Sequence, residues 1–165
     1  MGNAVQAVGT ARDFDFLMGS WKVHNRILRK GRSGSDEWDE FEATSVARPL
    51  LDGLGNEQEF RSDYGGGFIG MAFRFFDPEK KRWSIYWADS RHCGELDPPV
   101  IGSFFGDTGV FVGEDTFEGK PILVRFFWSR VTTDTPRWKQ AFSEDDGGSW
   151  ETNWVMDFTP AGGTT

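Results

Sequence analysis

The sequence predicts an all-β fold: about ten antiparallel strands closed as an up-and-down β-barrel, with a short helical turn near the N-terminus. Three observations carry this. Apolar and polar residues alternate with a period of two almost everywhere after residue 20. Turn signals built on Gly, Pro, Asp and Asn recur about every ten residues, the spacing of a meander. No segment after residue 20 has the period of a long amphipathic helix, which excludes a parallel α/β sheet. Closure is preferred because it removes both edge strands, where unpaired backbone groups invite aggregation.

The elements follow in order. Residues 1–12 have no period and are expected to form a flexible arm, with one barrel domain over 13–160. DFDFLMG at 13–19 suits a helical turn. WKVHNRI then places Trp21, Val23, Asn25 and Ile27 on one face and Lys22, His24 and Arg26 on the other, a half-buried strand. Strands are expected at 20–30, 38–48, 55–62, 67–76, 82–90, 100–105, 109–117, 121–132, 137–143 and 149–158. The intervening stretches, from KGRSGSD through LLDG, DYGGG and FDPEKK to EDDGG, read as turns.

Composition narrows function. A formal net charge of -8 and a pI near 4.8 repel phosphate backbones, so neither nucleic acid nor an anionic membrane is expected as a partner. The single cysteine, Cys93, allows no internal disulfide and suits a reducing, cytoplasmic setting. No signal peptide pattern or membrane-spanning apolar run is present. The 16 Phe and 8 Trp against 2 Tyr make the aromatic load heavy and weighted towards fully apolar rings.

Two motifs mislead at first sight. SEDDGGSW, Ser143 to Trp150, fits the Asp-box pattern of sialidase propellers. A propeller needs several copies at a fixed period, and here there is one. The stretch is expected to be the last hairpin, with Asp and Gly in the turn and the Trp packed beneath it. GGGFIG, Gly65 to Gly70, matches G-x-G-x-x-G but runs into MAFRFFD, an alternating strand, where dinucleotide binding needs a helix N-terminus.

FDFLMGSW, Phe14 to Trp21, resembles the start of a calycin, with Gly19-Ser20-Trp21 as the G-x-W of a lipocalin's first strand. "FVGEDTFEGKP…RFFWSR…WKQAFSEDDGGSWETNWVMDF" resembles a bacterial family of lipocalin-like domains of unknown function. The similarity runs from about residue 13 to 159 and attaches no reaction to the chain. It implies a β-barrel with an internal cavity, and Trp21 at a floor closed by the N-terminal turn. Lipocalins also place a basic residue over that Trp; Arg125 and Arg130 are the candidates here. Nitrobindin-like barrels hold haem by a late histidine, and none follows His92.

Which residues carry chemistry depends on which faces point inward. Glu57 and Glu59 share one strand face with Arg61. That face is either outside and solvated, or inside and paired, where a raised pKa would suit Glu57 for general acid or base work. Asp89, His92 and Cys93 meet either in a solvated loop or as a base and nucleophile, with His92 the catalytic candidate. Two histidines and one cysteine make no zinc site of usual spacing. Arg74 and Arg125 sit in apolar strands, MAFRFF and ILVRFFW, and either snorkel outward or hold a carboxylate inside; Arg125 is the preferred inward candidate. Met71, Phe73, Tyr86, Trp87, Trp128 and Trp138 are expected to line the cavity, with Gln140, Trp154 and Met156, and Tyr86, Gln140 and Asn153 supplying polar contacts.

The expected function is binding of a small apolar or aromatic ligand inside the barrel. The alternative is a cofactor-independent isomerase, cyclase or hydrolase using the same cavity. No cofactor is implied. Strands apolar on both faces, such as FRFF, leave a wet apolar face on a lone barrel, so a homodimer is expected.

Overall fold

A computed structural model describes residues 9–29 and 37–161. The expected turn KGRSGSD and residues 1–8 of the expected arm lie outside the described residues. Within that arm Gly9 is buried, and a Cβ there would meet the Lys81 carbonyl oxygen at 2.4 Å.

Ten strands are described: β1 (Gly19–Leu28), β2 (Trp38–Leu50), β3 (Gly55–Ser62), β4 (Phe68–Asp77), β5 (Arg82–Asp89), β6 (Val100–Phe105), β7 (Thr108–Phe117), β8 (Lys120–Ser129), β9 (Arg137–Ser143) and β10 (Glu151–Pro160). Each pairs antiparallel with its sequence neighbour, and β10 closes on β1 with Val23 opposite Phe158 and Asn25 opposite Met156. The predicted closed, all-antiparallel meander is therefore the fold. Among the described residues no helix is long and apolar enough to cross a membrane.

Alternation decides what faces inward. β1 buries Trp21, Val23 and Asn25, and β2 buries Ala43, Ser45 and Ala47. β3 buries Asn56, Gln58 and Phe60, which leaves Glu57 and Glu59 outside. β4 turns Phe68, Gly70, Ala72 and Arg74 inward, so Met71, Phe73 and Phe75 face out. Gly70 stands inside β4 because a ring from β5 fills its space: a Cβ there would lie 2.1 Å from Trp87 Cη2.

One end is closed by the N-terminal segment, whose 3-10 turn spans Asp15–Leu17. Phe14 is 1% exposed, with its ring edge-on to Trp83 and to Phe104 at 4.9 Å each. Trp83 Nε1 donates to Asp13 Oδ2 at 3.1 Å, and Trp21 Nε1 to the Leu17 carbonyl at 2.7 Å. Indole N–H groups buried in a core need such acceptors. Trp21 thus stands at the floor. Of the two basic candidates, Arg125 lies over the Trp150 ring at 4.3 Å and Arg130 donates to Asp157 at 3.0 Å.

The Asp box is the β9–β10 hairpin. Ser143 Oγ donates to Asp145 Oδ1 at 2.8 Å and accepts from the Gly147 amide at 2.8 Å. Asp145 also accepts from the Ser149 amide at 2.8 Å and its hydroxyl at 2.7 Å. Asp146 and Gly147 take φ of 58° and 93°, the left-handed region that Asp and Gly tolerate best. These donors hold the Asp145 carboxyl down at about 2. A group depressed in the folded state stabilises above its unfolded pKa, and that contribution fades as pH falls through the folded value. Asp145→Ala is expected to lower the melting temperature at pH 7, with the gap to wild type narrowing between about pH 4 and pH 2. Thermal unfolding by circular dichroism over a pH series checks this; a gap independent of pH would contradict it.

Candidate functional site

The inward faces leave a cavity of about 610 Å³ running from the floor to the opposite end of the barrel. Its walls are aromatic. Trp154 stands edge-on to Trp138 at 5.6 Å and to Trp87 at 6.5 Å, and Phe126 meets Trp138 at 5.0 Å. Phe60 approaches both Trp87 and Trp154, at 6.3 and 6.2 Å. These T-shaped arrangements favour the pairs electrostatically and hold the rings at fixed angles. Trp154 is fixed further by its Nε1, which donates to Asn25 Oδ1 at 2.9 Å.

One wall is polar and carries a full charge. Arg74 is 4% exposed and lines the cavity. Its guanidinium lies over the Phe14 ring at 4.8 Å, so it belongs to the floor end. Nη1 donates to Asn56 Oδ1 at 2.9 Å, and Nη2 donates to Gln58 Oε1. Gln58 passes the chain on, its Nε2 donating to Ser45 Oγ at 2.6 Å. Because Arg has only donors, the two amides must turn their oxygens towards it. Strand register builds this cluster: Asn56 pairs with Arg74 and Gln58 with Ala72. Arg74 Nε, also buried, has no partner. Burial without an opposing charge pulls the guanidinium down to about 9.

The far end is acidic. Asp89, Glu95, Asp97, Glu114 and Asp115 line the mouth together with Arg91 and His92. Asp89 is paired, accepting from Arg91 Nη2 at 3.0 Å. Asp97 is raised above the usual carboxylate range, first by burial and then by the negative charges of Asp115, Asp89 and Glu95.

Of the residues expected to line the cavity, Trp87, Trp128, Trp138, Gln140, Trp154 and Met156 do so. Met71, Phe73, Tyr86 and Arg125 do not. The parity of β4, β5 and β8 turns them to the outer face, where Phe73 pairs with Tyr86 and Phe75 packs on Tyr86 at 6.2 Å. Glu57 is outside as well, its carboxylate 2.9 Å from Arg48 Nε on β2. His92 is exposed at the mouth, and Cys93 is exposed outside the lining. Gln140 donates to Asn153 Oδ1 at 2.9 Å, which leaves Asn153 Nδ2 buried without a partner. Among the described residues, no three of His, Cys, Asp and Glu stand together to hold a metal ion.

Sequence reasoning ranked Arg125 above Arg74 and missed Asn56 and Gln58. The available signal was N-x-Q on one strand and A-x-R on the next, whose hairpin register brings two amide oxygens to one guanidinium.

No family model and no curated protein matches the sequence. Among solved structures, the chain is similar to the S-type phycobiliprotein lyase CPES from Guillardia theta, with a TM-score of 0.56 over 97% of each chain. At 9% identity, that likeness shows the fold. It places the chain among barrels of lipocalin-like architecture.

Proposed function

We propose that this chain binds a small, largely apolar aromatic molecule inside its barrel, in the cytoplasm and as a homodimer. The observation that carries the binding reading is the cavity itself. At about 610 Å³ it falls within the range of small-molecule sites, and its rings converge on a few fixed polar groups. Trp87, Trp128, Trp138, Trp154 and Met156 form the apolar contacts, with Gln140 as a polar one. The likeness to a phycobiliprotein lyase supports the barrel fold on which this reading rests. The catalytic alternative loses Glu57, Tyr86 and Arg125 to the outer face, and keeps only His92 at the mouth.

The test is a titration with N-phenyl-1-naphthylamine, a neutral aromatic probe that brightens on leaving water. Saturable binding with energy transfer from tryptophan supports the reading. Absence of binding overturns it.

The homodimer rests on the outer face of β4 to β7. There Phe75, Ile101 and Val110 are 38%, 36% and 42% exposed beside Phe73 and Tyr86. A patch apolar across neighbouring strands is self-complementary when two copies meet about a two-fold axis. Sedimentation equilibrium should return about twice the chain mass of 18.7 kDa; a monomer at every concentration would contradict the dimer.

A further inference from the structure

Building on the binding reading above, we infer that the ligand carries one carboxylate at its leading end and that Arg74 receives it. Five N–H donors project from a guanidinium. Arg74 spends two, on Asn56 and Gln58, and both acceptors are neutral amides. Its Nε has no partner although it is buried, and no carboxylate among the described residues pairs with it. A charge withdrawn from water without a counter-charge is costly, so such groups are normally paired. Arg74 lines the cavity, so the counter-charge it lacks can be supplied by a molecule bound there, while Phe14 covers one face of the guanidinium and the two amides take two of its protons.

The amides do more than satisfy two protons. Asn56 and Gln58 hold the guanidinium from β3, and Ser45 holds Gln58 from β2, so the fork is oriented before any ligand arrives. A preset fork loses little freedom on taking a carboxylate by two parallel bonds. A neutral amide or alcohol would leave the charge unopposed.

The mouth limits the charge to one end. Glu95, Asp97, Glu114 and Asp115 surround the entrance, and the net charge of -8 adds to the same sign. A carboxylate left at the mouth would be repelled there. The ligand is therefore anionic where it enters first, flat and apolar in the middle among Trp87, Trp138 and Trp154, and uncharged or cationic at its outer end.

The experiment is displacement of bound N-phenyl-1-naphthylamine by 1-naphthoate and by 1-naphthamide, which differ in the charge of one group. The expected result is displacement by the carboxylate at about tenfold lower concentration or better, and loss of that preference in Arg74→Met, read as the ratio of the two displacement constants within each protein. Equal displacement, or a preference for the amide, overturns the carboxylate assignment and leaves the binding reading standing. So does a preference that survives in R74M. If the probe itself does not bind wild type, both fail together. Should R74M not fold, the wild-type Arg74 Nε–Hε resonance decides: it shifts on adding 1-naphthoate if the inference holds, and stays in place if it does not.

Discussion

Phe14→Ala should cost about 3–5 kcal/mol, the usual range for deleting a fully buried Phe side chain. Phe14 is the plug of the barrel floor. Its ring touches Trp83 and Phe104 edge-on at 4.9 Å and lies 6.3 Å from Trp128. Its face supports the guanidinium of Arg74 at 4.8 Å. Removing the ring leaves a void between strands that are locked in a closed ladder and cannot collapse to fill it. It also uncovers one face of a buried charge. For a chain of this length the loss corresponds to a melting temperature lower by roughly 6–20 °C. Phe16, only half-buried beside the same rings, is the control, and Phe16→Ala should cost clearly less. Chemical denaturation of both variants measures the difference. A Phe14→Ala protein within about 1 kcal/mol of wild type would show that the N-terminal segment is not what closes the floor.

Ala72→Trp should abolish binding of N-phenyl-1-naphthylamine, weakening it by about a hundredfold or more, equivalent to about 2.7 kcal/mol. Ala72 faces the cavity between Gln58 on β3 and Trp87 on β5. An indole there occupies the space a ligand would take. Because that space is open, the added bulk should cost stability no more than about 1–3 kcal/mol. Met71→Trp, one residue earlier and on the outer face, should leave the titration unchanged. Alternation along β4 is what separates the two outcomes, so the pair tests strand parity and the cavity together. Equal loss in both variants, or retained binding in Ala72→Trp, would place the probe elsewhere.

The barrel was legible because each strand is short, alternating and bounded by a turn, and because the chain has no competing helical period. All ten expected strands are present, with ends shifted by a few residues. The orientation of β4 and β8 was not legible, for a physical reason. In MAFRFF and ILVRFFW both faces are apolar, so hydrophobicity carries no parity signal. Size carried it instead. Gly70 stands inside because Trp87 crosses its space, and Ala72 stands inside on the open cavity, while Met71 and Phe73 pack outside. The same shift of one residue put Arg74 in and Arg125 out. Strands with a clear polar face were read more directly: WKVHNRI has Trp21, Val23 and Asn25 buried as alternation predicts. The lining tryptophans Trp128, Trp138 and Trp154 were legible as inward candidates because each lies within an expected strand. The polar cluster of Asn56, Gln58 and Arg74 was not, since it exists only through the β3–β4 register.

The central claim is an open interior that takes a flat aromatic molecule, and a crystal structure of the protein grown with 1-naphthoate tests it most directly. The account predicts density for the ring system inside the barrel, between Trp87, Trp138 and Trp154. An interior filled by the protein's own collapsed rings, with naphthoate absent or seated on the outer face near Phe73 and Tyr86, would contradict it.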